Sequence, residues 1–163
     1  MSTEADPERA ITRALHRYCR AMDRIDANLG YTVWHEDGLA DYGAIYQGTG
    51  RGFIDWACEF HRTLDAQSHQ IANLLIDVQG AQAVSETYLT AALVSTEAGE
   101  QVLTTARGRY LDSWSRRSGQ WAIDQRRYVH DFATRQIVDV TTGWGRRDRN
   151  DPSYALLGSA GTA

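Results

Sequence analysis

From residue 69 to residue 138 the sequence is cut by three short turn signals, Gln79-Gly80, Ala98-Gly99-Glu100 and Ser118-Gly119, into four long segments of β character. They run over 69–78, 82–96, 101–115 and 120–138. Parallel neighbours would need crossovers of a dozen or more residues, so connections this short leave consecutive antiparallel hairpins. The last three segments exceed the ~5–6 residues of an ordinary strand, which predicts that they bend. The second half of the chain is thus one long, curved antiparallel sheet.

The first half reads as helical and must cover one face of that sheet. Asp6-Pro7 is a helix start, the carboxylate capping free N–H groups and the proline suiting the first turn. Ile11, Leu15, Tyr18, Met22 and Ile25 then recur at alternating steps of four and three, which places them on one helical face. Asp23 stands at the edge of that face. Asp26 and Asn28 break the pattern, a short second helix is expected over 29–35, and Asp37-Gly38 is expected to end it. Residues 39–46 alternate loosely and predict a first strand carrying Tyr42 and Tyr46. After the turn at Gly48, Gly50 and Gly52, helical spacing of Phe53, Trp56, Ala57, Phe60 and Leu64 predicts a third helix ending near Gln67, with Trp56 and Phe60 on the sheet. The fold class is therefore α+β: a cone-shaped roll of three N-terminal helices on a curved, mostly antiparallel sheet, with a ligand pocket between the layers.

Length fits one domain over 1–140, followed by a tail over 141–163 that mixes arginines, turn formers, Trp144 and Tyr154 and is expected to be a loop serving as a lid or a subunit contact. Net charge is -4 and 42% of residues are hydrophobic, which suggests neither a nucleic-acid surface nor disorder. No apolar run reaches the ~18–20 residues of a membrane span, and the polar N-terminus has no signal-peptide core. Cys19 and Cys58 fall in helical patterns and read as buried thiols. These features point to a soluble, cytoplasmic protein. All 17 basic residues are arginine, so no lysine Schiff base with a carbonyl substrate or pyridoxal phosphate can form. The Gly-x-Gly-x-Gly run at 48–52 is not set in a βαβ unit and carries no phosphate role. Metal-ligand spacings and Ser or Cys nucleophile motifs are absent, so neither a metal nor a cofactor is expected. His16, His35 and His61 share no common face and read as surface or packing residues.

His69 is the residue around which a chemistry can be built. It opens an apolar strand at the junction of the helical and sheet halves, and the ordinary histidine pKa of ~6.5 suits proton transfer near neutrality.

The order helix, short helix, strand, long helix, four strands resembles the NTF2-like superfamily and, within it, the SnoaL-like proteins. The resemblance rests on Ala21-Met22-Asp23-Arg24-Ile25-Asp26, on the Asp41-Tyr42 pair, on His69 with Asn73, and on Trp121 and Arg126 in the last strand. The branches most similar in these residues are scytalone dehydratase, bile-acid 7α-dehydratase and hexachlorocyclohexane dehydrochlorinase. The resemblance implies a dyad in which His69 is a general base and Asp23 fixes its tautomer and stabilises the imidazolium. It further implies that Tyr42 or Tyr18 donates a hydrogen bond to a carbonyl or leaving oxygen, and that Arg126, if it faces the cavity, stabilises a departing oxyanion. The second-strand histidine of scytalone dehydratase has no counterpart among Tyr88, Thr90 and Ala92, which argues against scytalone as substrate. Trp34, Tyr46, Trp56, Tyr88, Tyr128 and His130 are the expected substrate-binding residues.

The expected activity is a cofactor-independent lyase of dehydratase type acting on a small hydroxylated aromatic or polycyclic compound. The same dyad could instead release formaldehyde from a hydroxymethyl-bearing aryl compound, or serve a polyketide-cyclase or isomerase reaction. A non-catalytic ligand-binding module would need no dyad. Related dehydratases are trimers, so a homo-oligomer, trimer or dimer, is expected, with the convex sheet face covered by another subunit.

Overall fold

The computed structural model describes residues 6–141 and 143–157. Helix α1 (Pro7–Arg24) begins as its sequence dictates: Asp6 accepts a hydrogen bond from the Glu8 N–H, and Ile25 closes the helix in the left-handed conformation. Its buried stripe is Ile11, Ala14, Leu15, Tyr18, Cys19, Ala21 and Met22. Helix α2 (Ala27–Tyr31) is capped by Asp26, whose carboxylate accepts from the Leu29 N–H.

Helix α2 is shorter than the sequence pattern suggests, because Trp34 and His35 belong to strand β1 (Trp34–Asp41). Parallel pairing with the last strand recruits this stretch, a tertiary contact that overrides local propensity. Asp37-Gly38 consequently lies inside a strand, at a register shift between Trp34 and Leu39, rather than ending a helix. Gly38 is needed there, since a Cβ would stand 2.8 Å from the Ile123 carbonyl oxygen. Tyr42 and Tyr46 both fall beyond β1, in a hairpin closed by the Tyr42 N–H on the Tyr46 carbonyl, which leads into β2 (Gln47–Thr49).

Helix α3 (Gly50–Arg62) is capped by the Thr49 hydroxyl and ends before Gln67, which lies in β3 (Ala66–Gln79). Gly50 lets the helix start against the Trp34 ring, from which a Cβ would be only 2.1 Å away. The buried face of α3 is Phe53, Ile54, Ala57, Cys58 and His61. Trp56 is half-buried against the core, but Phe60 is 39% exposed and stacks on Trp56 instead of packing on the sheet.

Strands β4 (Gln82–Glu97), β5 (Glu100–Arg117) and β6 (Gln120–Val138) follow as hairpins, giving a six-stranded sheet of order β2-β1-β6-β5-β4-β3. All neighbours are antiparallel except β1 and β6, and register shifts at Ala72/Leu75, Arg107/Gly108 and Ser113/Trp114 bend the long strands. The core lies between α1, α3 and the inner sheet face, as an α+β roll requires.

The tail is not wholly loop. Helix α4 (Pro152–Leu157) brings Tyr154 onto Asp26, whereas Trp144 is 98% exposed. Residues 1–5, 142 and 158–163 of the N-terminus and tail lie outside the described residues. No described helix is long and apolar enough to cross a membrane.

Candidate active site

Asp23 sits in the last turn of α1, one turn past buried Cys19, and so points from the helix end toward edge strand β3. A carboxylate at a helix C-terminus opposes the helix dipole and needs compensation. His69 supplies it twice. Its backbone N–H donates to Asp23 Oδ1 at 2.9 Å and Oδ2 at 3.2 Å, and its ring Nδ1 lies 2.8 Å from Oδ1. An edge strand has N–H groups without a ladder partner, and Asp23 takes up this one. Because a carboxylate only accepts, Nδ1 carries a proton, and in the neutral imidazole the lone pair is then on Nε2.

The register shows what surrounds that lone pair. His69 pairs with Ala91, Ala91 with Ala106, and Ala106 with Ala133, so a row of alanines crosses the inner face beside the imidazole. The next row is Ile71, Leu89, Gly108 and His130. Gly108 keeps the sheet tight, since a Cβ there would be 2.4 Å from the Val129 carbonyl oxygen. Asn73, with a left-handed φ of 45°, stands at the bulge that bends β3 just after the histidine. Asparagine tolerates that conformation better than most residues.

One row further is a phenol cluster. Tyr18 and Tyr42 hydroxyls are 2.9 Å apart and buried, and Tyr110 meets Tyr18 edge-on. Burial pushes the phenols of Tyr18, Tyr42 and Tyr110 well above the ordinary tyrosine value, with the Arg126 charge opposing, so all three stay neutral donors. The Tyr18 hydroxyl is hydrogen-bonded to those of both Tyr42 and Tyr110, so the three phenols share one network.

Arg126 is 1% exposed and paired through Nε and Nη2 with both oxygens of Asp112, each at 2.7 Å. Its guanidinium lies 3.9 Å from the Tyr110 ring centroid and 4.4 Å from that of Tyr18. Burial opposes the charge, but the paired Asp112 carboxylate outweighs that cost and holds it charged. The cation thus lies among the phenols, with its Nη1 lacking a hydrogen-bond partner among the described residues.

Of the remaining expected residues, Trp34 is buried against Arg126. Tyr46, Phe53, Trp56 and Phe60 form an aromatic run along α3, and Tyr42 stacks on Phe53 at 3.7 Å. Tyr128 is half-buried near Tyr42, with its hydroxyl 3.2 Å from His130 Nδ1. The structure does not bring Tyr88 to the dyad: it is 44% exposed on the outer face, because its neighbours Thr87 and Leu89 occupy the inner one. That outer face carries a cavity of about 960 Å³ lined by residues such as Leu39, Leu75, Val84, Glu86 and Arg127, with neither Asp23 nor His69 in its lining.

His61 is the residue that reading the sequence missed. It is buried, its ring centroid is 5.1 Å from that of His69, and its Nδ1 has no hydrogen-bond partner among the described residues. Burial first, then the neighbouring His69, pushes its pKa down to about 3. The signal was its spacing, since His61 follows Ile54 and Ala57 at three- and four-residue steps on the buried face of α3. Among the described residues no three His, Cys, Asp or Glu side chains converge as metal ligands.

No curated protein sequence matches this chain. Among solved structures it is similar to a scytalone-dehydratase-like protein from Novosphingobium aromaticivorans, with 23% identity, a TM-score of 0.68 and coverage of 85% of this chain and 93% of the other. It is also similar to a hexachlorocyclohexane dehydrochlorinase, LinA type 3, from Novosphingobium barchaimii, with 14% identity, a TM-score of 0.73 and coverage of 83% and 94%. A Mycobacterium tuberculosis protein of unknown function shares 24% identity at a TM-score of 0.63, over 76% of this chain and 71% of its own. At these identities the likeness is one of fold. The SnoaL-like domain matches residues 3–127, most of the chain, and with the helix-covered curved sheet this makes the protein a member of the SnoaL-like family within the NTF2-like superfamily.

Proposed function

We propose that the protein is a cofactor-independent lyase of dehydratase type, acting on a small hydroxylated aromatic or polycyclic substrate. The observation that carries this reading is the 2.8 Å contact between Asp23 Oδ1 and His69 Nδ1, which leaves Nε2 as a base beside a row of small side chains. In the reaction Nε2 takes a proton from the substrate carbon, and the C–H electrons form the new double bond. The C–O electrons depart with the hydroxyl, which takes the proton just accepted by Nε2 and leaves as water, returning the imidazole to its neutral form. Asp23 stabilises the transient imidazolium, and a hydroxyl hydrogen of the Tyr18, Tyr42 and Tyr110 network serves the leaving oxygen. The half-buried rings of Tyr46, Trp56 and Tyr128 support an aryl substrate. Exposed Leu39, Leu75 and Val84 support a second subunit over the outer face, and light scattering tests that assembly.

The deciding experiment is a mass-spectrometric turnover screen of wild type and His69→Ala against hydroxylated aryl and polycyclic compounds. Loss of water by wild type alone is the expected result. Loss of formaldehyde would move the cleavage to a C–C bond with the same base, and product of unchanged mass would mean an isomerase or cyclase. Undiminished turnover by His69→Ala would remove the dyad, and binding without turnover by either protein would leave a ligand-binding module.

A further inference from the structure

We infer that Arg147, in the C-terminal segment, is a positioning residue that fixes the Asp23–His69 pair from behind. Its Nη1 donates to the His61 carbonyl oxygen at 2.9 Å and to Gln67 Oε1 at 2.8 Å. The other end of Gln67, Nε2, donates to the Met22 carbonyl oxygen at 3.3 Å. Met22 precedes Asp23 on α1, Gln67 stands two residues before His69 on β3, and the His61 ring lies against that of His69. One guanidinium nitrogen thus ties together the ends of the three elements that carry Asp23, His61 and His69.

The physical case has two parts. At the C-terminus of α3 the His61 carbonyl accepts from the Leu64 N–H at 3.2 Å and has a second lone pair for Arg147, and a cation is favourable at a helix C-terminus. Arg147 is also held on both sides in sequence. Asp151 accepts from the Arg146 and Ser153 backbone N–H groups, Tyr154 donates to Asp26 at 2.7 Å, and Arg20 lies over the Tyr154 ring while donating to Ser153. A side chain anchored at both flanks transmits position to what it binds, and displacements of about 1 Å at a base cost catalysis heavily. The Arg147 charge also adds to the influences that keep His61 neutral.

The catalytic part of this inference rests on the lyase reading, so the test includes readouts that need no turnover. Full-length wild type, Arg147→Met, Arg147→Lys and Gln67→Met are compared by amide hydrogen exchange at His69 and by ¹⁵N shifts of its ring, which report the tautomer. Lysine keeps a charged donor with three N–H bonds, whereas methionine keeps only length. Arg147→Met and Gln67→Met are expected to speed exchange of the His69 amide at least tenfold relative to central β5 amides and to weaken the preference for the Nδ1–H form. Arg147→Lys is expected to restore both. With a substrate in hand, kcat falls about tenfold or more in the methionine variants while KM moves less than about threefold. Wild-type exchange and tautomer in both methionine variants would overturn the inference, as would a lysine variant no better than methionine. If Arg147→Met does not fold, Gln67→Met decides. A wild type without lyase turnover would sink the lyase reading alone, since the exchange and ring-nitrogen data still judge Arg147.

Discussion

The rings of His61 and His69 lie 5.1 Å apart, yet they face different surroundings: His69 is tied to a carboxylate and His61 is buried with an unpartnered Nδ1. A proton on His61 would have neither solvent nor a counter-charge. That is why its pKa falls to about 3 and why it stays neutral whenever the protein is folded near neutral pH.

The consequence for stability has a definite sign. Unfolded, His61 titrates near 6.5; folded, near 3, so between these values the unfolded chain binds the extra proton and acid favours unfolding. The contribution is present above about pH 6.5 and is lost as pH falls toward 3, at up to about 1.4 kcal/mol per pH unit. Urea unfolding at a series of pH values should show a flatter acid limb for His61→Leu than for wild type. Identical limbs would mean that His61 is solvated.

A second expectation concerns the buried pair Arg126 and Asp112, directly opposite each other on β6 and β5. Removing one partner strands a charge that is out of water, which costs about 3–5 kcal/mol. Arg126→Met and Asp112→Leu should each lower the urea midpoint sharply, while the double variant should cost clearly less than their sum. Additive losses would show that the two charges do not depend on each other.

The row of small residues beside His69 makes a separate claim. Ala106 is half-buried at the margin of the core and two strands away from the histidine, so Ala106→Phe puts a bulky ring into the row beside the base at an overpacking cost of about 1–3 kcal/mol. The thermal midpoint is expected to change by only a few degrees, whereas kcat/KM should fall by about a hundredfold. Retained activity with a bulky side chain at 106 would move the substrate elsewhere on the sheet.

How much of this was legible beforehand depended on where the information lay. The four hairpin strands and α1 were readable because their signals are local: turn residues between long β segments, and an apolar stripe after Asp6-Pro7. Trp34 and His35 were misassigned to a helix because their strand exists only through pairing with β6, which comes some ninety residues later. Asp23 and His69 were found from a pattern shared with a family, and the structure brings them together. His61, Gln67 and Arg147 were not, since their roles arise from contacts between the ends of three elements and a tail with no periodic pattern. Tyr88 was chosen for its type, but strand alternation puts it on the outer face.

Asp23 offers the sharpest test of the dyad itself, because it does two jobs that one substitution separates. Asp23→Asn keeps size and one acceptor oxygen, enough to take the His69 backbone N–H, and it removes the negative charge that steadies the imidazolium. The fold should therefore survive with a loss of about 1–2 kcal/mol, the difference between a charged and a neutral hydrogen bond. Activity should fall much further, by about 10²–10⁴-fold in kcat, the range attributed to a working acid–base group. Asp23→Ala removes both functions and should also speed amide exchange at His69. Equal stability losses in the two variants, with activity retained in Asp23→Asn, would make Asp23 a strand anchor and leave His69 to act without a carboxylate behind it.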